Sequence, residues 1–194
     1  MFGKRRKVIG KGETVYLFAP AREEVAAFLA LTNASADFHS PWVFPATDGR
    51  RYRGYLDRLE SGTARGFFIG RCADDALIGV VNVNDIVMGG LRAGTLGYYV
   101  GADFARQGYM TEGLGLVLYH VFTEGDLHRV ESNIQPANLA SIALVRRLGF
   151  RNEGFSPAFM QIDGVWRDHE RWAILADEWI ARKAAVRARR SVIA

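Results

Sequence analysis

The chain has a single cysteine, Cys72, among its 194 residues. No internal disulfide can form, and no cysteine-rich zinc or iron–sulfur site can be built. That scarcity points to a reducing, cytoplasmic setting. A run of about 18 apolar residues is also missing, which argues against a membrane-spanning helix. The basic stretch Lys4-Arg5-Arg6-Lys7 leads into no unbroken apolar segment of the kind a signal peptide needs. A soluble protein that is not exported is expected. Internal repeats, low-complexity tracts and Pro/Gly linkers are absent as well, so nothing divides the chain.

What is present has globular proportions. Apolar residues at 49% and charged residues at 24% exclude disorder, collagen and coiled coil as descriptions of the whole. At about 150 residues per domain, 1–194 reads as one domain with a core over about 13–180 and a basic C-terminal helix or tail after it. Folding a chain of this size removes roughly 70% of its accessible surface, enough for a core without staples. The net charge of +4 gathers at the ends, in Lys4 to Lys11 and in Arg182, Lys183, Arg187, Arg189 and Arg190. These ends are either solvated or weakly and non-specifically attracted to a polyanion such as RNA or a ribosome surface. A dedicated nucleic-acid binder is not expected, because the interleaved aromatic and basic stripe needed for base stacking is missing.

Periodicity places the elements. A short β-rich stretch runs from Thr14 to Phe18, and Ala21 to Asn33 carries Val25, Phe28, Leu29 and Thr32 at helical spacing. Asp48 can cap a helix that puts Tyr52, Tyr55, Leu56 and Leu59 on one face. Phe67 to Ile69 and Leu77 to Val83, split by Ala73-Asp74-Asp75, read as a hairpin. Met88-Gly89-Gly90 then breaks the chain before a third strand, Thr95 to Val100. Helix, strand, helix and two strands follow: Met110 to Glu124, Arg129 to Ile134, Asn138 to Leu148, Phe150 to Met160 and Trp166 to Ile174. Gly149 stands where a helix end needs positive φ, and Asp163-Gly164 is a two-residue hairpin signal. Ala176 to Arg190 reads as a final helix. The expected class is α+β, a mixed and mostly antiparallel sheet flanked by helices.

The chemistry is concentrated in the strand, loop and helix start that run from Gly97 to Gly113. A helix beginning near Gly108 turns unpaired N–H groups and its positive dipole end towards the loop, which suits a pyrophosphate. Gly108 permits close backbone approach and Arg106 adds charge. Taken with Asn138 to Phe150, this segment resembles the GNAT superfamily of N-acetyltransferases. Ile78-Gly79-Val80, Gln107 to Glu112, Arg147 to Phe150 and Ile162 to His169 are similar to its RimJ/RimL branch, which contains ribosomal-protein-alanine N-acetyltransferases; the opening Met1-Phe2-Gly3 fits loosely.

The resemblance implies a central sheet with splayed middle strands and a metal-free transfer of an acetyl group from acetyl-CoA to an amine in a ternary complex. It implies that the pantetheine arm pairs with the backbone of Tyr98, Tyr99 and Val100. The pyrophosphate would lie on Arg106, Gln107, Gly108, Tyr109, Met110 and Thr111, with Asn138 and Ser141 beside the arm and thiol. It also implies that a backbone N–H near Val100 assists the carbonyl oxygen. Three positions depart from the pattern: Ala105 opens the phosphate motif, Met110 closes it, and Val145 stands where many relatives carry a tyrosine that protonates the departing thiolate. Ser141, one turn away on the same face, is the nearest replacement by i, i+4 geometry.

The acceptor is bounded by proton affinity. Neutralising an N-terminal α-amine at pH 7.5 costs about 0.7 kcal/mol, against about 4 kcal/mol for a lysine. Period two puts Glu131, Asn133 and Gln135 on one strand face. Asn133 matches a glutamate of some N-terminal acetyltransferases and cannot take a proton, so Glu131 is the candidate base, directly or through water; the alternative is a solvated strand carboxylate. His128 flanks the strand and could serve, His120 in mid-helix reads as packing or surface, His169 reads as structural, and His39 is a further candidate. His39-Ser40-Pro41-Trp42 would border the acceptor entrance in this branch, and Asn84-Asp85 offers a polar pair to a cationic N-terminus. The expected partner is a protein or peptide N-terminus, with a ribosomal protein as one case. The alternatives are a small-molecule amine (antibiotic, polyamine or amino acid) or a non-catalytic CoA-binding module, in each case as a monomer or homodimer.

Overall fold

Asp48 sits in extended backbone and accepts the amide of Arg51, which starts helix α3 at Gly49–Glu60. The face predicted for this helix is the one that faces inward, with Tyr52 and Leu56 buried. A computed structural model describes residues 6–193, with side chains through residue 184. Met1-Phe2-Gly3, Lys4 and Arg5, and the side chains of Arg187, Arg189 and Arg190, therefore lie outside the described residues. Their inner neighbours are not loose: Arg6 makes a two-pronged bond to Glu24 at 2.8 and 2.7 Å and lies 4.2 Å over the Phe18 ring. Arg182 donates to the carbonyl of Arg147 at 2.9 Å.

Eight strands form one sheet: β1 (Val8–Lys11), β2 (Val15–Phe18), β3 (Arg65–Arg71), β4 (Leu77–Val87), β5 (Ala93–Val100), β6 (Arg129–Ile134), β7 (Arg151–Ile162) and β8 (Val165–Leu175). Their order is β1-β2-β3-β4-β5-β6-β8-β7. Every pair is antiparallel except β5 with β6. That parallel pair holds only from Ala93↔Arg129 to Thr95↔Glu131, and beyond it the two strands part. Each keeps its other neighbour, so a wedge-shaped gap opens in an otherwise continuous sheet. Asp163 and Gly164, with φ of 47° and 76°, close the predicted β7–β8 hairpin through a tight turn that needs left-handed backbone at both positions.

Alternation along the strands separates two cores. In β3, Phe67 and Ile69 face one way and Phe68 the other. The larger core lies under α4 (Tyr109–Thr123), α5 (Leu139–Leu148) and the start of α6 (Ala176–Ile193), around Ile69, Leu114, Val130, Val145 and Trp172. The smaller lies under α1 (Val25–Ala34) and α3, where Phe28 stacks on Tyr55 and Phe68 at 5.7 and 5.6 Å. Three local expectations change. The helix predicted from Ala21 opens as a 3-10 turn over Arg22–Glu24, which rotates the buried face of α1 to Phe28, Leu31 and Thr32. The one-turn helix α2 (Ala36–His39) follows it and was not foreseen. Strand β1, four residues long and too short to read from sequence, is formed by pairing with β2.

Candidate active site

The gap between β5 and β6 has an edge of unpaired backbone, and register decides which residues supply it. Gly101 donates to Ile78 at 2.9 Å, so Tyr99 and Gly97, in the same phase, spend their backbone groups on β4. Leu96, Tyr98 and Val100 therefore aim theirs at the gap. This supports Tyr98 and Val100 as an arm-binding edge and corrects Tyr99, whose backbone pairs with Val80 and whose ring packs on the α1/α3 side. The carbonyl of Val100 is engaged by Nε2 of His39 at 2.9 Å. A carbonyl only accepts, so Nε2 carries the proton and Nδ1 is bare, buried and without a partner among the described residues. Burial also holds the His39 pKa below its ordinary value, which keeps the ring neutral.

Past the mouth of the gap, the chain turns through Ala102–Phe104 and reaches Arg106 at φ 61° and Gly108 at φ 85°. Gly108 is the N-cap of α4 and no side chain caps the helix, which leaves the amides of Tyr109 and Met110 to a ligand. Gln107 braces the loop by donating to the Asp103 carbonyl at 2.7 Å. Met110 is buried in the larger core, so at this position the helix is held from beneath. Thr111 bonds back to Gly108 at 3.0 Å, and Glu112 reaches the amide of Thr14 at 3.0 Å, tying the helix start to the β1–β2 turn. A Cβ on Gly12 would stand 1.9 Å from that carboxylate. Near Ala105, a cation that sequence reasoning missed comes from β3: Arg71 lies 5.0 Å from the Phe104 ring and bonds the Tyr109 hydroxyl and Asp74.

On the α4/α5 side, Asn138 caps α5 by accepting the amide of Ser141 at 3.1 Å. The Ser141 hydroxyl meets the hydroxyl of Tyr98 at 2.5 Å, and Tyr98 also reaches Ser132. Burial raises the Tyr98 pKa, so its phenol stays protonated. Val145 is wholly buried in the core. A tyrosine is thus present beside Ser141, delivered by β5 and not by the helix.

On the α1/α3 side lies a pocket of about 350 Å³ walled by Phe28, Phe44, Tyr55 and Tyr99. Tyr55 donates to Asn82 Oδ1 at 2.9 Å, and Arg58 Nη1 donates to Asn84 Oδ1 at 2.6 Å. Asn84 thus stands at the pocket's edge, whereas Asp85 is exposed at the β4 bulge in left-handed backbone and does not line the pocket. Trp42 is half-buried, and its successors Val43 and Phe44 form the wall instead. Across the gap, Glu131 and Asn133 share a face as predicted. Both oxygens of Glu131 are taken, by Arg129 at 2.7 Å and Arg171 at 3.1 Å, and Arg171 also holds Asn133 Oδ1 at 2.7 Å. The base candidate is therefore neither free nor merely solvated. His128 sits at the closed end, bonded to Arg92 through its backbone; His120 edges onto Phe67, and His169 is buried against Phe159. A second cleft of about 390 Å³ lies on the β1–β3 flank, strands away from the gap.

A mixed sheet parted at one parallel pair, with an uncapped helix N-terminus at its mouth, is the architecture of an N-acetyltransferase. Residues 15–151 match the family model described as acetyltransferase (GNAT) domain, and the chain belongs to that family. It is 34% identical over 173 residues to a probable N-acetyltransferase, YjcK, of Bacillus subtilis, covering 85% of this chain and 96% of that one. It is 33% identical over 150 residues to the [ribosomal protein uS5]-alanine N-acetyltransferase of Escherichia coli, covering 73% and 77%. Among solved structures, Mycobacterium smegmatis RimJ in complex with CoA-disulfide superposes with a TM-score of 0.79 at 28% identity over 89% of each chain.

Proposed function

We propose that the protein transfers the acetyl group of acetyl-CoA to the N-terminal α-amine of a protein, with ribosomal proteins the first acceptors to test. The observation that carries this reading is the state of the acceptor side. The carboxylate where the strands part is committed to two arginines, so the site suits an amine that needs little help to lose its proton. The names of the relatives support the same reading, since one acetylates an alanine of ribosomal protein uS5 and a structural neighbour binds a CoA disulfide.

The donor fits the residues present: Gly108 has open space around it, and Tyr98 and Val100 offer backbone groups along the gap. Acetyl-CoA supplies an activated acyl group on a thiol leaving group. The loop from Arg106 to Thr111 holds the pyrophosphate, and a β5 N–H near Val100 that faces the gap, that of Tyr98, steadies the carbonyl oxygen. The amine nitrogen bonds to the carbonyl carbon as the carbon–sulfur bond breaks. Ser141 gives its proton to the sulfur as Tyr98 passes its own to Ser141; the amine sheds one proton to water, and Tyr98 takes one back from water as the products leave, so the proton count closes. Glu131 and Arg171 shape the acceptor side without taking that proton. The test is mass spectrometry of a peptide mixture with Ala, Ser, Met and Gly N-termini and internal lysines, incubated with acetyl-CoA. Label confined to N-termini is expected; label only on lysine side chains, or only on added polyamines, overturns the reading.

A further inference from the structure

The aromatic pocket on the α1/α3 side carries an unbalanced charge. Its lining includes two arginines, Arg51 and Arg58, and no carboxylate. Arg51 lies 3.7 Å from Asp48, the cap of its own helix. Arg58 meets only neutral groups among the described residues: the amide oxygen of Asn84 and, at 5.7 Å, the face of the Tyr55 ring. Arg58 is exposed at the pocket's edge, and a guanidinium held in place there by an amide and an aromatic ring, with no carboxylate in the lining, is a receptor for an anion. The same charge repels a polycationic amine.

Position narrows the anion further. Asn84, which anchors Arg58, is paired in register with Thr95 on β5, the last residue before the strands part. Neighbouring strands lie about 4.8 Å apart and an extended peptide advances about 3.4 Å per residue. A peptide whose N-terminal nitrogen stands at the Tyr98 level of the gap, three residues and about 10 Å along β5 from Thr95, therefore brings its second or third side chain to Arg58. Resting on the α-amine reading above, we infer that the enzyme selects acceptors with an acidic side chain at the second or third residue, and that Arg58 is its ion-pair partner.

Matched peptides test this: Ala N-termini followed by Glu, Gln or Lys at position two, and the same series at position three, with free glutamate and spermidine as further acceptors. The Glu peptides are expected to exceed their Gln counterparts in kcat/KM by about tenfold, in line with a hydrogen-bonded charge pair, and the Lys peptides by more. In Arg58→Gln the Glu/Gln ratio falls to about one. In Arg53→Gln, on an exposed position of the same helix outside the pocket, the ratio is retained. Equal rates for Glu and Gln peptides, a ratio that survives Arg58→Gln, or acetylation of free glutamate alone each overturn the inference. Peptides acetylated without regard to charge remove the selection and leave the α-amine reading standing. Lysine side chains or spermidine acetylated while N-termini are not removes that reading itself.

Discussion

The two sides of the parted strands are built from opposite materials. Towards α4 and α5, with Arg71 set apart beside the loop, stand neutral hydroxyls and backbone groups: Tyr98, Ser132, Ser141 and the uncapped start of α4. Towards α1 and α3 stand guanidiniums, a paired carboxylate and aromatic rings: Arg58, Arg171, Glu131, Tyr55 and Tyr99. The neutral side suits proton delivery to a thiolate, because a phenol kept protonated by burial remains a donor at any ordinary pH. The charged side suits recognition, since fixed ion pairs order a surface but exchange protons poorly. On the function proposed above, acid chemistry and acceptor choice are divided between the faces of one sheet.

If that division holds, the largest single effect falls on the neutral side. Ser141→Ala is expected to lower kcat about a hundredfold, the scale of losing a general acid, with the Kd for CoA little changed by calorimetry. A loss under threefold would remove the serine from the proton path. Tyr98→Phe should cost about tenfold in kcat, because Ser141 keeps its hydroxyl but loses its supply; thiol release under saturating acetyl-CoA measures it. On the charged side, Glu131→Gln should cost only a few-fold in kcat/KM and leave the pH–rate profile in place. A hundredfold loss with disappearance of the acidic limb would make Glu131 the base and erase the contrast between the faces.

The smallest effect concerns stability. His39 and His169 are buried, and burial holds both pKa values below the ordinary 6.5. The unfolded chain then binds more protons than the folded one between the lowered values and 6.5, so stability rises with pH there and is lost as pH falls below about 6.5. The Tm should drop between pH 7 and 5, and His39→Gln, which keeps a donor for the Val100 carbonyl, should flatten part of that slope. An unchanged slope would assign it to other groups.

The neutral side was largely legible in the sequence because it is nearly contiguous. Gly97 to Gly113 spells a strand, a loop and a helix start, and Asn138 with Ser141 is a local cap whose spacing is set by helix geometry. Even here one partner was not foreseen: the tyrosine that meets Ser141 comes from 43 positions upstream. The inclusion of Tyr99 in the donor-binding edge failed because hydrogen-bonding phase along a strand is set by register with β4. The charged side was barely legible. Nothing local links Arg58 to Asn84 or Arg171 to Glu131, and of the pair Asn84-Asp85 named from sequence only Asn84 stands at the pocket's edge.

By itself the sequence determined the order and type of the main elements, through hydrophobic period, capping residues and the turn chemistry of Gly149 and Asp163-Gly164, though not β1 or α2, and it determined the strand, loop and helix start from Gly97 to Gly113, whose parts are neighbours in the chain. Only the tertiary structure decided where the sheet parts, which backbone groups face the gap, and which charges meet across it. Those depend on strand register and on packing between residues tens of positions apart, and periodicity records which face a side chain turns to without recording what waits there.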